Sequence, residues 1–278
     1  MEAFPYIVQG KNITVVVDNT PHTISAGHIN YQKVKDAIVA SDWATVREII
    51  DPTEFIVNAG MGHVSIKGDV LYWKGVVMDN SLSKRLIAMV TDGFPVDPMV
   101  AFMENLMENP SRRAVNELYT FLEKGDLPIT PDGHFLAYKK VGKDYLDLHS
   151  KTVPNKVVFT DEELAEMPMK VGSKGEVTVN VVNDVTVIEM DRNMVDDDFN
   201  RTCSAGLHFC SQNYLGNFGR QDDPVMILKI NPRDVVSIPS DYNNTKGRAC
   251  RYTIIGELGV NPSEAFTKPV QETANSGE

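Results

Sequence analysis

The spacing of apolar residues changes near residue 126, and this change most restricts the folds that the chain can adopt. Before it, apolar residues recur every three or four positions, as on one face of an amphipathic helix. After it, short β-branched runs alternate with polar residues, which is typical of strands. The sequence therefore predicts an α+β protein. Its parts are an N-terminal α+β domain at 1–126 with hairpins and a helical cluster, a β-rich domain at 127–260, and a disordered tail at 261–278.

Local signals define the elements within this frame. The stretch VSIKGDVLYW, from Val64 to Trp73, predicts a hairpin that turns at Lys67-Gly68-Asp69. Asn109-Pro110-Ser111 predicts the start of a helix, because Ser caps helix N-termini well. Further helices are expected at 31–50, 82–90, 98–107, 112–122 and 160–165, and strands at 6–24, 177–187, 225–230, 235–238 and 252–255.

Charge and composition exclude several classes of function. The 278 residues include 27 Lys and Arg against 38 Asp and Glu, a net charge of -11. This acidity argues against broad nucleic-acid binding, which needs clustered positive charge. No apolar run approaches the ~20 residues of a membrane span. The first twelve residues predict no signal peptide, and three cysteines are too few for a disulfide framework, which indicates a reducing compartment.

The stretch CSAGLHFCSQNY, from Cys203 to Tyr214, concentrates reactive residue types. Cys203, His208, Cys210 and the distant Cys250 could supply the ligands of a structural zinc site. Their spacing is not the pair of close cysteine knuckles that zinc sites usually show. The alternative is a strand with packed thiols, since Cys is among the most buried residue types.

A nucleotide site is a second interpretation of the same stretch. Gly206-Leu207-His208-Phe209, followed by Tyr214 and by Glu257 after a later strand, resembles ADP-ribosyltransferase-like folds. That resemblance implies NAD as cofactor, with His208, Tyr214 and Glu257 as candidate catalytic residues and with His134 or Lys139 near the cofactor. The Ser-Thr-Ser segment and the Glu-x-Glu pair of those enzymes are missing from the sequence. An antiparallel sheet with a glycine turn explains the pattern equally well.

A basic cluster precedes the last predicted strand. Lys246, Arg248 and Arg251 could bind a phosphate or a carboxylate, and the alternative is a solvated loop that enters the strand. On the strand itself, alternation places Arg251 and Glu257 on a mostly polar face and Tyr252 on a mostly apolar one. The sequence therefore predicts a half-buried strand that follows a candidate ligand-binding loop.

Three long stretches carry a resemblance to a known family. The segments Asn109–Ser150, Arg192–Leu215 and Ile230–Tyr252 resemble the phage rIIB proteins, known as lysis-inhibition proteins and as protectors against prophage-induced exclusion. The resemblance implies expression in an infected bacterium and action with a rIIA-like partner. It also implies a role at the host envelope or in defence, and it supplies no catalytic residues.

These observations lead to one main hypothesis and one alternative. The main hypothesis is a non-enzymatic phage accessory protein that modulates lysis timing and counters prophage or host exclusion through protein partners. It would act in the host cytoplasm, or at the inner membrane through a partner, without a metal or cofactor, as a monomer or an oligomer. The alternative is an NAD-using transferase or other nucleotide-binding enzyme that employs His208, Tyr214 and Glu257.

Overall fold

We describe the protein from a computed structural model of the full chain. The structure describes residues 3–28, 30–51, 57, 62–67, 70–78, 97–125, 127–151, 153–157, 159–166, 177–182 and 185–258. Within these ranges, helices and strands both contribute substantially, and the predicted α+β class is confirmed.

The chain divides into two compact units, Met1–Val100 and Ala101–Glu278. The boundary of the compact units therefore falls within the helix Asp97–Met107, the first of the two helices that precede the predicted limit at residue 126. The domain limits drawn from the sequence stay a prediction. The tail at 261–278 and the helix expected at 82–90 lie outside the described residues.

The first unit contains two small antiparallel sheets and two helices. Turn chemistry at Asp18 and Asn19, both at positive φ, joins two of the strands. Asp42 begins the second helix by accepting a hydrogen bond from the Thr45 amide at 3.2 Å, as a capping residue should. The elements are β1 (Tyr6–Gln9), β2 (Asn12–Val17), β3 (Thr20–Ser25), α1 (Tyr31–Val39), α2 (Trp43–Ile50), β4 (Val64–Lys67), β5 (Val70–Trp73) and β6 (Val76–Val77).

One core joins β1–β3 to the two helices that follow. Alternate residues of β2 are buried, and they pack against one face of each helix. The side chains on one face of the strand and on one face of each helix thus form a single core. The buried members are Ile13, Val15, Val17, Ile24, Val34, Ala37, Ile38, Val46 and Ile50. The predicted hairpin at 64–73 is present as β4 paired antiparallel with β5.

The second unit is built on an eight-stranded antiparallel sheet. Its strand order is β12-β13-β10-β7-β11-β14-β9-β8. The strands are β7 (Phe135–Lys140), β8 (Val177–Val182), β9 (Val185–Met190), β10 (Leu207–Cys210), β11 (Val225–Ile230), β12 (Val235–Ser237), β13 (Lys246–Ala249) and β14 (Arg251–Glu257). The helices are α3 (Asp97–Met107), α4 (Arg112–Gly125) and α5 (Asp161–Glu166), with short 3-10 helices at 192–194, 212–217, 232–234 and 241–244.

One residue joins two strands that are separated by three others in the sheet order. Only Cys250 separates β13, which pairs with β10, from β14, which pairs with β11. Because β7 pairs with both β10 and β11, the pairings of these five strands and the chain link at Cys250 together form a closed circuit. Strand β7 is the centre of this circuit, and all six of its residues are buried.

Helix α4 is held to the sheet by aromatic packing and by its N-terminal turn. The rings of Phe121, Phe135 and Phe209 meet edge to face, with centroids 5.3 to 6.2 Å apart. Ser111 Oγ accepts a hydrogen bond from the Ala114 amide at 3.2 Å, which confirms the predicted helix start.

None of the helices in the described parts of the chain has the length and apolar character that a membrane span needs.

Candidate functional site

A small cavity lies where strands β7 and β10 diverge. The two strands pair only at Tyr138 and Cys210, and beyond this pair they enclose a space of about 80 Å³. Nearly every polar side chain that lines the space can carry a charge. These lining residues are Lys139, Lys140, Asp147, His149, Cys203, His208, Cys210, Tyr214 and Lys246. A cavity with convergent ionisable groups is the strongest candidate for a binding site in this unit.

An ion pair between Lys139 and Asp147 forms one wall of the cavity. Lys139 Nζ lies 2.6 Å from Asp147 Oδ2, and the two side chains are 8% and 17% exposed. Lys139 also donates to the His208 carbonyl at 3.1 Å. Burial lowers the pKa of Lys139, but the Asp147 carboxylate outweighs burial and raises that pKa above its usual range. Burial likewise raises the pKa of Asp147, yet the Lys139 ammonium holds it well below normal. Both groups are therefore charged.

His208 forms a second wall and is neutral. Burial lowers its pKa to about 3, and the charge of Lys139 acts in the same direction. Its Nε2 atom is buried and has no hydrogen-bond partner within the described part of the chain. The ring of His149 lies nearby, with centroids 6.4 Å apart. A buried ring nitrogen without a partner normally marks a water or a ligand group.

Tyr214 and Lys246 lie at the rim of the cavity. The Lys246 ammonium lies over the rings of Tyr214 and Tyr242, at 5.7 and 5.2 Å from their centroids. The same ammonium forms an ion pair with Asp241 at 2.7 Å. Burial raises the pKa of Tyr214 to about 12, so its hydroxyl stays protonated. The structure thus brings two of the sequence-predicted candidates, His208 and Tyr214, to one cavity, together with Lys246.

Three residues of the candidate zinc site, Cys203, His208 and Cys210, line the cavity, and the fourth, Cys250, does not. Cys203 is exposed, and Cys210 is buried with its thiol donating to the Tyr138 carbonyl at 3.3 Å. Burial raises the pKa of Cys210 to about 12, so this thiol is a poor ligand at neutral pH. Cys250 packs in a separate apolar cluster. Across the described ranges, no three His, Cys, Asp or Glu residues are arranged to hold a metal ion.

The other two members of the basic cluster do not line the cavity. Arg248 lies on β13 and is fully buried. Its guanidinium donates to the Arg201 and Asp198 carbonyls at 3.0 and 2.7 Å and to Ser237 Oγ at 3.1 Å, so it ties a loop to the sheet. Arg251 is half exposed on β14. The predicted alternation of exposed Arg251 with buried neighbours on β14 is present.

Glu257 lies away from His208 and Tyr214. It is the last residue of β14 and is exposed, and its Oε2 accepts a hydrogen bond from the Tyr145 hydroxyl at 3.1 Å. It does not line the cavity. The three candidate catalytic residues are therefore not assembled in one place.

An open groove of about 600 Å³ adjoins the cavity. Asp147 and Phe218 line both spaces. The groove walls come from the segment that follows β7 and from residues 218–223, and they carry Lys143, Lys151 and Arg220. The cavity is thus the inner end of a wider, partly basic depression.

Sequence reasoning missed three of these lining residues, Lys140, Asp147 and His149. Asp147 lies in an irregular segment, and its distance to Lys139 is set by tertiary folding. A usable signal was present in FLAYKK, where two adjacent lysines end an otherwise apolar strand. Because lysine is almost never fully buried without a partner, such a strand predicts a nearby carboxylate or anion on each of its faces.

Comparisons with known proteins place the chain among phage proteins. A family model described as Bacteriophage T4 protein rIIB matches residues 6–176 and 169–264. The chain is also 33% identical over 249 residues to a curated relative, "Protein rIIB" of Enterobacteria phage T4, covering 89% of this chain and 71% of that protein. No solved structure gives a significant match. The matched residues extend across both compact units.

Proposed function

Because this chain belongs to the bacteriophage T4 rIIB protein family, we propose that it is a phage accessory protein that modulates lysis timing. In this role it counters prophage or host exclusion through protein partners. The observation that carries the proposal is the similarity over 89% of the chain. A match of that extent involves the whole architecture rather than one shared module.

The partners we propose are a rIIA-like phage protein and components of the host envelope or of host defence. The net charge of -11 supports protein partners over the phage genome, because a phosphate backbone repels an acidic surface. We propose that the protein acts in the host cytoplasm and reaches the inner membrane through a partner. Fractionation of infected cells tests this, and recovery in the membrane fraction without the partner would contradict it.

One surface feature supports partner binding. Tyr242 is 56% exposed, although its ring packs edge to face on Tyr214. Tyr242, Asn243 and Asn244 have φ values of 45, 58 and 59° in succession. Left-handed backbone in non-glycine residues is unfavourable, and it clusters at functional sites. We therefore propose that this turn presents Tyr242 to a partner protein.

Infection with a phage that lacks this gene tests the proposed role. Lysis is followed by culture turbidity, and plating efficiency is compared on hosts with and without a resident prophage. We expect earlier lysis and a plating defect on the prophage-bearing host, and we expect a plasmid copy to reverse both. Unchanged lysis and unchanged plating would refute the proposal.

Affinity capture from infected cells tests the surface. Tyr242→Ala should reduce recovery of the partner seen with the wild-type chain. Phe199→Ala is the matched control, because Phe199 is another exposed aromatic residue of the same unit, at 37% exposure. Equal losses in both variants, or no partner with the wild-type chain, would contradict partner binding through this turn.

The second candidate function is nucleotide binding, and the shared location of His208 and Tyr214 favours it. The position of Glu257 gives no support to group transfer from NAD, and an ADP-ribosyltransferase-like fold stays a prediction. Calorimetric titration of the purified chain with NAD tests this candidate. No heat of binding for the wild-type chain would remove it.

A further inference from the structure

Lys140 is a cavity-lining lysine without a bonded counter-ion, and its stem is buried. It is 6% exposed, and across the residues that the structure describes no carboxylate lies within ion-pair distance of its ammonium. Asp223 lies near the Lys140 stem. Its Oδ2 and the Lys140 Cδ both approach Gly219, each within about 3 Å of the point where a Cβ on that glycine would stand. Asp223 instead accepts the Arg220 amide at 2.7 Å. Buried lysines are normally paired.

His208 carries a second unmet requirement in the same space. Its Nε2 is buried without a hydrogen-bond partner, and both residues line the cavity between β7 and β10. The two demands are complementary: an ammonium requires negative charge, and a neutral imidazole can donate one hydrogen bond through Nε2. A single oxyanion can satisfy both groups.

The remaining charges of the cavity balance each other. Lys139 is paired with Asp147, and Lys246 is paired with Asp241. The lining therefore has an excess of one positive charge, that of Lys140. A space of about 80 Å³ holds several waters, since one water needs roughly 10–15 Å³ on this measure. It therefore has room for a phosphate or carboxylate group.

We propose that this cavity binds an oxyanion, a phosphate or a carboxylate group, through the Lys140 ammonium and the His208 Nε2–H. The inference is independent of the role in phage infection. It differs from the NAD candidate because the group bound is small. Binding of inorganic phosphate without binding of NAD would support the oxyanion site and remove the NAD candidate.

Titration of the full chain with inorganic phosphate, followed by ³¹P line width and by calorimetry, tests the proposal. We expect saturable binding by the wild-type chain. Lys140→Met keeps the aliphatic stem and removes the charge, and it should weaken binding at least about tenfold, the effect of one charge-assisted hydrogen bond. Lys143→Met is the matched control, because Lys143 is an exposed lysine of the same segment paired with Asp222. Its affinity should be unchanged.

A second readout reports on His208 directly and does not depend on a variant that folds. In the ¹⁵N-histidine spectrum of the wild-type chain, the His208 Nε2 resonance should move with saturating phosphate, and that of His28, which belongs to the first unit, should not. Acetate as the titrant distinguishes a carboxylate from a phosphate ligand. Absence of saturable binding for both ions, equal loss in both lysine variants, or an unmoved His208 resonance would overturn the proposal.

Discussion

The buried ion pair between Lys139 and Asp147 gives the sharpest prediction about stability. Lys139→Met leaves a carboxylate that is 17% exposed without its counter-ion. Breaking a buried pair on one side destabilises a protein by about 3–5 kcal/mol. Asp147 keeps hydrogen bonds from the His149 and Ser150 amides, at 2.9 and 2.8 Å. We therefore expect the lower end, about 3 kcal/mol.

The assay must report on the second unit alone. Both tryptophans, Trp43 and Trp73, belong to the first unit, so tryptophan fluorescence would miss the change. Amide hydrogen exchange in β7 and β11 gives the free energy of opening of the sheet itself. The double variant Lys139→Met/Asp147→Leu should recover much of the loss, because it removes both charges.

Lys143→Met tests whether burial strengthens the ion pair. Lys143 is also paired with an aspartate, Asp222, but the two side chains are 67% and 62% exposed. Exposed pairs contribute about 0–1 kcal/mol. If Lys139→Met and Lys143→Met lower the free energy of opening equally, burial of the first pair does not strengthen it, and the argument is refuted.

Three further predictions concern the same unit. Asn109→Leu removes hydrogen bonds to the Pro232 and Val235 carbonyls and from the Ser111 amide and Arg192. The free energy of unfolding, measured by denaturant titration, should decrease by about 3 kcal/mol. The exposed Asn116→Leu is the control and should have little effect. Gly247→Ala places a Cβ 2.2 Å from the Phe209 ring and should lower the free energy of unfolding by about 1–3 kcal/mol, whereas Gly216→Ala meets nothing within 4 Å and should not. The pKa of His208 is lowered from 6.5 to about 3, so between these pH values the unfolded chain binds a proton that the folded chain does not. The free energy of unfolding should therefore decrease as the pH is lowered through this window, and His208→Gln should flatten this dependence. An unchanged slope would contradict a buried neutral imidazole.

Elements with local chemistry could be predicted from the sequence. The helix start at Asn109-Pro110-Ser111 and the hairpin at 64–73 depend on caps and turns that a few adjacent residues determine. The polar and apolar faces of β14 follow from alternation alone. The structure confirms all three.

The candidate site could be predicted only in part. His208 was identifiable because it lies in a stretch that concentrates reactive residue types, whereas its link to Lys139 depends on β7, about 70 residues earlier in the chain. Arg248 was interpreted either as a ligand-binding cation or as part of a solvated loop, but it is fully buried on β13. Charge in a short segment does not reveal burial, because the backbone carbonyls that accept hydrogen bonds from this guanidinium come from a loop about 50 residues earlier in the chain.

The closed circuit of strands has a consequence for synthesis of the chain on the ribosome. Strand β7 pairs with β11, about 90 residues later, and such long-range pairing is slow to form. The circuit closes only when β14, at Arg251–Glu257, has left the exit tunnel. The first unit, whose hairpins are local, can fold while the chain is still growing. Before β14 emerges, β7 lacks the strands that bury its residues, and the nascent second unit is open to aggregation during that interval.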